Sequence, residues 1–338
     1  MNYKYKKILL MSLIMVIMVI MVVSASCSNQ KVDDDKITIV TTLFPQYDFA
    51  KQIVGDKCEV ILLLPPGTDS HSYEPTPRDI INISEADMFI YTGDEMEAWA
   101  KTILDAVDNE DLKVVDVSKG IELIETGEVL HEHNHNEEFE EDEHEHSHEH
   151  EESEEGFGHS HSHDIDPHFF CSPHNAMIMM NTILKEVVEL DGDNEDYYVK
   201  NYETYLKELE AVDERLHEIC ESAENKTLYF GGKFAMLYFV NDYHLSYVSP
   251  FASCAHESEA DPRSIVDIIE CMNEHDAKAV FYEELADPKV AKIIAEEVDG
   301  ETYLLHSCHN VSKDDLEKGV TYVDLMNQNA DNLEKGLK

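Results

Sequence analysis

Ahead of four expected helices in this chain a helix-capping side chain stands directly before a proline: Thr76-Pro77, Ser172-Pro173, Asp261-Pro262 and Asp287-Pro288. A Ser, Thr or Asp oxygen accepts from the orphan amides of a first helical turn, and proline at the first helical position loses no hydrogen bond. Ser312, with Asp315 three residues on, marks a further start. Short apolar, β-branched runs lie between these starts: ITIVTTL (37–43), CEVILLL (58–64), MFIYTG (88–93) and KVVDVS (113–118), then TLYFGG (227–232), LSYVS (245–249), KAVFYEE (278–284) and TYLLH (302–306). They read as buried strands. Strand, loop, capped helix, repeated once before residue 131 and once after residue 224, predicts an α/β chain of two Rossmann-like lobes with parallel sheets. Between the repeats, residues 194–221 carry an apolar stripe at helical spacing: Tyr198, Tyr202, Tyr205, Leu206, Leu209, Val212 and Leu216. At 1.5 Å per residue such a helix is roughly 40 Å long, enough to run along both lobes as a rigid link.

The N-terminus is an address. Lys4, Lys6 and Lys7 precede an almost wholly apolar run from Ile8 to Val23, and Ser24, Ala25 and Ser26 lead to Cys27. Small residues before a cysteine at the end of such a run predict a lipoprotein signal, with lipid on the Cys27 sulfur; an uncleaved membrane anchor is the alternative. The expected division is a signal peptide at 1–26, a tether at 27–36, a first lobe at 37–173, helices including the link at 174–223 and a second lobe at 224–338. With a formal net charge of −47 the chain repels nucleic acid. The six other cysteines form no CxxC pair, which argues against a zinc ribbon. Outside the cytoplasm disulfides are permitted, and a bridge between Cys254 and Cys308, each following a strand of the second lobe, is the pairing expected here.

Residues 131–163 interrupt the first lobe with HEHNHNEEFEEDEHEHSHEHEESEEGFGHSHSH, a run free of Lys and Arg. It buries too little apolar surface to offset chain ordering and is expected to be a disordered insertion. His131, His133, His135, His144, His146, His148, His150, His159, His161 and His163 offer imidazoles to many ions. Because ordering the chain weakens each site, they are read as an auxiliary zinc collector, the bland alternative being a solvated acidic spacer.

A tighter site is expected where ligands bind in open α/β sheets, beyond the carboxyl ends of strands. His71 follows CEVILLL in PPGTDSHSYEPTP, His309 follows TYLLH in SCHNVS, Lys233 follows TLYFGG, and His168 lies in DIDPHFF ahead of the capped helix at Ser172. Three neutral imidazoles suit Zn²⁺, Cu²⁺, Ni²⁺ or Fe²⁺ far better than Ca²⁺ or Mg²⁺. His174 and His306, close by, are read as capping or packing residues, with His306 inside a strand. Cys171 and Cys308 are read as buried thiols or disulfide partners rather than ligands.

The segments LPPGTDSHSYEPTPRDI, DPHFFCSPHNA, VFYEELADPKVA and LLHSCHNVSKDDLEKGVTYVDLMNQN resemble the metal-binding solute proteins of bacterial zinc and manganese ABC importers, the ZnuA/AdcA-like group of cluster A-I. The likeness runs from Lys36 to Lys338. It implies two lobes joined by a rigid helix, one transition-metal ion in the cleft between them, and delivery to a membrane permease. On that likeness His71 occupies the first ligand position, His168 the second and His309 the fourth. The third, His in zinc-type members and Glu in manganese-type ones, is Lys233. A protonated lysine has no lone pair for a metal, so Lys233 is expected to turn away and pair with an acid. Glu257 and Glu259 are the candidate partners. Either of them, or Glu74, or a water, is a candidate for the missing ligand, and a site of weakened affinity is the alternative.

The reading is thus a monomeric, extracytoplasmic, lipid-anchored protein that captures an ion, zinc rather than manganese or iron, and passes it to a permease. The competing readings are a storage or adhesin-type lipoprotein whose His-rich run is the main binder, and a zinc hydrolase. The chain has no HExxH, GxSxG or Walker motif to support an enzyme.

Overall fold

The computed structural model describes residues 36–126, 165–251, 260 and 262–338. All eight expected strands form: β1 (Thr38–Thr41), β2 (Glu59–Leu62), β3 (Met88–Tyr91), β4 (Lys113–Asp116), β5 (Thr227–Tyr229), β6 (Ser246–Val248), β7 (Ala279–Tyr282) and β8 (Glu301–Leu304). The first four pair in parallel in the order β2-β1-β3-β4. In the second half β5 pairs with β6 and β7 with β8, again in parallel. A parallel bridge between Phe230 and Phe281, and the Gly231 N–H donating to the Phe281 carbonyl at 2.8 Å, join the two pairs. The resulting order, β6-β5-β7-β8, repeats that of the first half, so the duplicated sequence pattern is a duplicated topology. Gly231 is required at this junction: a Cβ there would lie 2.2 Å from the Ala291 Cα.

The helices are α1 (Phe44–Val54), α2 (Pro77–Ser84), α3 (Ala100–Leu104), α4 (Pro173–Leu190), α5 (Glu195–Ser222), α6 (Leu237–Asp242), α7 (Pro262–Glu274), α8 (Lys289–Glu297), α9 (Lys313–Lys318) and α10 (Tyr322–Gly336). The sequence caps work as expected at three of them. Thr76 forms a reciprocal capping box with Asp79, and the Ser172 and Ser312 hydroxyls accept from the amides of Asn175 and Asp315. α7 starts at Pro262, its capping position lying outside the described residues. Asp287-Pro288 behaves differently. Pro288 itself occupies the cap, with no side-chain cap bond, because the Asp287 carboxylate is drawn to the Lys289 ammonium at 2.8 Å.

The link α5 spans 28 residues. It packs on α1 and α4 of the first half and on α10 of the second. Tyr198, Tyr205, Leu209, Val212 and Leu216 face inward, while Tyr202 and Leu206 of the expected stripe are only half buried. Asp48 of α1 is buried where the halves meet. It accepts from the Tyr205 hydroxyl of α5 at 2.5 Å and from the Tyr322 amide at the head of α10 at 2.9 Å. One carboxylate thus ties the link to both halves.

Glu125 and Ile165 pair in an antiparallel bridge, and the Asp166 amide donates to the Ile124 carbonyl at 2.9 Å. The chain therefore leaves the first half and re-enters it at one point, and the histidines from His131 to His163 fall outside the described residues. So do Cys27 and the apolar N-terminal run. No described helix is long and apolar enough to cross a membrane.

The expected bridge between Cys254 and Cys308 is not supported. Cys308 is a free thiol, fully buried and turned towards the His306 carbonyl at 3.7 Å. Its backbone is in the left-handed region, with φ of +70°. Cys254 lies outside the described residues.

Candidate metal centre

Loops from the carboxyl ends of β2, β5, β7 and β8, with the segment entering α4, surround one small cavity of about 120 Å³. Asp69, His71, His168, Lys233, Glu283, Glu284 and His309 are among its walls. Three of the expected ligand positions and Lys233 therefore meet in one place.

His71 and His168 are already a pair, with Nε2 to Nε2 at 3.0 Å. Two imidazole nitrogens sharing a tetrahedral Zn²⁺, at Zn–N distances of about 2.0–2.1 Å, stand about 3.3 Å apart. The pair thus nearly has the separation an ion imposes. His168 is held from behind. Its Nδ1 lies 2.7 Å from Asp166 Oδ1, and its amide donates to the same oxygen at 2.8 Å. A carboxylate on Nδ1 keeps the proton there and leaves the Nε2 lone pair for a metal. Desolvation of the ring at the cavity, followed by the neighbouring His168 imidazole, depresses the His71 pKa to about 4 although the residue as a whole stays exposed, so His71 is a neutral donor at ordinary pH.

His309 is held in the same way. Its Nδ1 is 2.9 Å from Glu284 Oε1 and 2.8 Å from Ser307 Oγ. The buried Glu284 also accepts from the Ser307 amide and hydroxyl, at 2.8 and 2.6 Å. Burial works against the Glu284 charge, but His306, His309 and Ser307 outweigh it and hold the carboxyl below its usual range. Burial likewise opposes a charged His309, and Glu284 overcomes it, raising the imidazole above its ordinary value. Among the described residues no three His, Cys, Asp or Glu side chains are yet drawn to a single point. The cavity is a formed pair with His309 lining another wall.

The loops that carry the ligands are stapled across the two halves. Gly67 N–H donates to the Val311 carbonyl at 2.9 Å, and the fully buried Asn310 amide donates to the carbonyls of Pro65 and Thr68, both at 2.8 Å. The stretch bearing His71 and the stretch bearing His309 are therefore positioned together.

Other expectations fare differently. Lys233 does not turn away: it lines the cavity, and its charge acts on both His71 and Glu283. Three carboxylates around the cavity, Asp69, Glu283 and Glu284, give the ammonium a reason to stay. Its expected partners, Glu257 and Glu259, lie outside the described residues. Glu74 is exposed and is not part of the cavity wall. His174 is exposed in the first turn of α4. His306 follows β8 rather than lying within it, and is buried with its Nδ1 accepting from the Cys308 amide at 2.9 Å. Glu283, Glu284, Asp166 and Asn310 were not anticipated from the sequence. Glu283 and Glu284 sit just past the end of β7, where the carboxyl-end rule that pointed to His71 and His309 would have found them.

Residues 39–336 match the family model described as "Zinc-uptake complex component A periplasmic", ZnuA. The chain belongs to this family. It is a family of solute-binding proteins for zinc uptake, not of enzymes. The high-affinity zinc uptake system protein ZnuA of Bacillus subtilis is 34% identical over 319 residues, which is 93% of each chain. The zinc-binding lipoprotein AdcA of Streptococcus pneumoniae is 29% identical, and the match covers 90% of this chain but 56% of AdcA, so this chain spans little more than half of that relative. Among solved structures, the metal-dependent lipoprotein YcdH of Bacillus subtilis superposes with a TM-score of 0.71 at 31% identity, covering 89% of this chain and 99% of that one. The Zn(II)-bound ZnuA-like domain of Streptococcus pneumoniae AdcA gives 0.70 at 24% identity, with coverages of 89% and 99%, a likeness of fold.

The Asp166 contact carries a direct prediction. Asp166→Ala frees the His168 ring and leaves its tautomer unset, which should weaken zinc binding by roughly 10–100-fold. Competition against a chromophoric chelator measures this; unchanged affinity would show that the carboxylate does not orient the ligand.

Proposed function

We propose that this protein captures a Zn²⁺ ion in the cavity between its two halves, through His71, His168 and His309, and delivers it to the permease of an ABC importer. The observation that carries this reading is the matched pair of buried carboxylates, Asp166 and Glu284, behind two of the three imidazoles. Each leaves one ring nitrogen for an ion, an arrangement that a packing histidine does not need. All-imidazole donors favour zinc over manganese. An arriving ion would draw His309 towards the His71–His168 pair. The stapled loops and α5 would confine that movement to a small closure.

In this reading residues 1–26 are removed and Cys27 carries the lipid. Residues 27–36 tether a monomeric protein, with lobes at 37–173 and 224–338 linked through 174–223, to the outer face of the cell membrane. The His-rich run at 131–163 serves as a weak collector. The test is calorimetric titration of metal-stripped protein lacking residues 131–163. One tight zinc site, with manganese binding weaker, is expected; loss of the tight site would make the His-rich run the principal binder and the storage reading the better one.

Proton competition follows from His309. Its pKa is raised, so at neutral pH a part of it is protonated and unable to bind an ion, whereas His71, at about 4, is not limiting. Zinc affinity should therefore fall by about tenfold per pH unit once the pH drops below the His309 value. A pH series of competition titrations that stays flat down to pH 5 would contradict this.

A further inference from the structure

The third family position holds a lysine, which cannot donate to an ion, yet the cavity around it is built and acidic. The residue beside it supplies what is missing. β5 and β7 run in parallel, with Phe230 bridged to Phe281, so two residues further on Gly232 lies beside Glu283; a Cβ on Gly232 would sit 4.0 Å from the Glu283 amide nitrogen. Lys233 is next along that strand end. Glu283 therefore stands, at the end of the neighbouring strand, beside the strand end that carries Lys233, and both line the same cavity.

Its surroundings differ sharply from those of Glu284. Glu284 is consumed by Ser307 and His309. Glu283 lines the same cavity, and among the described residues its carboxylate has no hydrogen-bond or ion-pair partner. A carboxylate held next to a second, ionised carboxylate gains most from a cation with open coordination positions. Burial and the neighbouring Glu284 charge push its carboxyl up to about 8, so an arriving cation would have to displace its proton; the Lys233 ammonium pulls against that rise but makes no direct pair with it.

We propose that Glu283 is the anionic fourth ligand of the captured ion, completing a three-imidazole, one-carboxylate set, and that Lys233 is the counter-charge that balances this acid and limits how tightly the ion is held. This rests on the three-histidine reading above. A carboxylate ligand neutralises part of the ion's charge, and an ammonium close by opposes it, so the two side chains act in opposite directions on the same affinity.

The test uses the full chain with its His-rich run, titrated with Zn²⁺ against a chelator strong enough to keep weak sites empty, and with Co²⁺ read by visible absorption. Glu283→Gln should lower zinc affinity by at least about tenfold, comparable to or larger than loss of an orienting carboxylate. It should also change the intensity and position of the Co²⁺ bands, which report the donor set. Lys233→Met should move zinc affinity the other way, upwards. Glu283→Asp, which keeps the charge but shortens its reach, should fall between wild type and Glu283→Gln, and it serves where the Gln variant fails to fold. His71→Ala runs alongside. If His71→Ala abolishes tight binding while Glu283→Gln keeps wild-type affinity and an unchanged Co²⁺ spectrum, Glu283 is not a ligand, although the histidine site stands. If His71→Ala keeps tight binding, the histidine site itself is wrong and the assignment of Glu283 falls with it.

Discussion

His71→Ala should abolish the tight zinc site while leaving the fold and its melting temperature close to wild type. His71 sits on a short turn after β2, capped by Asp69, and the residue is exposed to solvent. Its side chain adds little to the core, so its removal takes away one half of the 3.0 Å nitrogen pair and little else. Loss of a direct ligand should exceed the roughly 10–100-fold effect of an outer carboxylate. His168→Ala should be as damaging to affinity but is a less clean experiment, because His168 is buried and its loss leaves Asp166 without its ring partner. Calorimetry and thermal melting on the same samples separate the two effects. A His71→Ala protein that still binds one zinc tightly would remove the cleft from the account.

Asp48→Ala should be the most destabilising of the substitutions considered, without touching the cavity. Asp48 receives the Tyr205 hydroxyl, the Tyr322 amide and the Gln52 side-chain amide. Burial raises its pKa, and the bonds from Tyr205, Tyr322 and Gln52 pull against that rise. Alanine leaves a buried phenol and a buried backbone amide without an acceptor. At 1–3 kcal/mol for each orphaned group the expected loss is about 2–6 kcal/mol. Urea unfolding should show a lower midpoint at an unchanged slope; a wild-type midpoint would mean that the junction of α1, α5 and α10 is held by packing alone.

Most of the fold could be read in the sequence, because its signals are local. Apolar runs about as long as a strand marked all eight strands, and Thr76, Ser172 and Ser312 announced their helices through a bond made within four residues. Asp287-Pro288 misled because a neighbouring lysine competed for the capping carboxylate, a choice that depends on side-chain geometry. In the site, the loop position and residue type of His71, His168 and His309 were visible. What holds them was not. Asp166 and Glu284 matter through contacts with ring nitrogens, and Asn310 through carbonyls more than 240 residues away in the chain. Lys233 lines the cavity rather than turning away because the fold gathers Asp69, Glu283 and Glu284 there, acids that lie far from it in the chain.

The most direct test of the central claim is anomalous diffraction at the zinc edge from crystals of the protein loaded with one equivalent of Zn²⁺. The account predicts one strong peak in the cavity, about 2.0–2.1 Å from the Nε2 atoms of His71, His168 and His309. A peak bound by fewer than two of these nitrogens, or no peak in the cavity with zinc bound elsewhere, would contradict it.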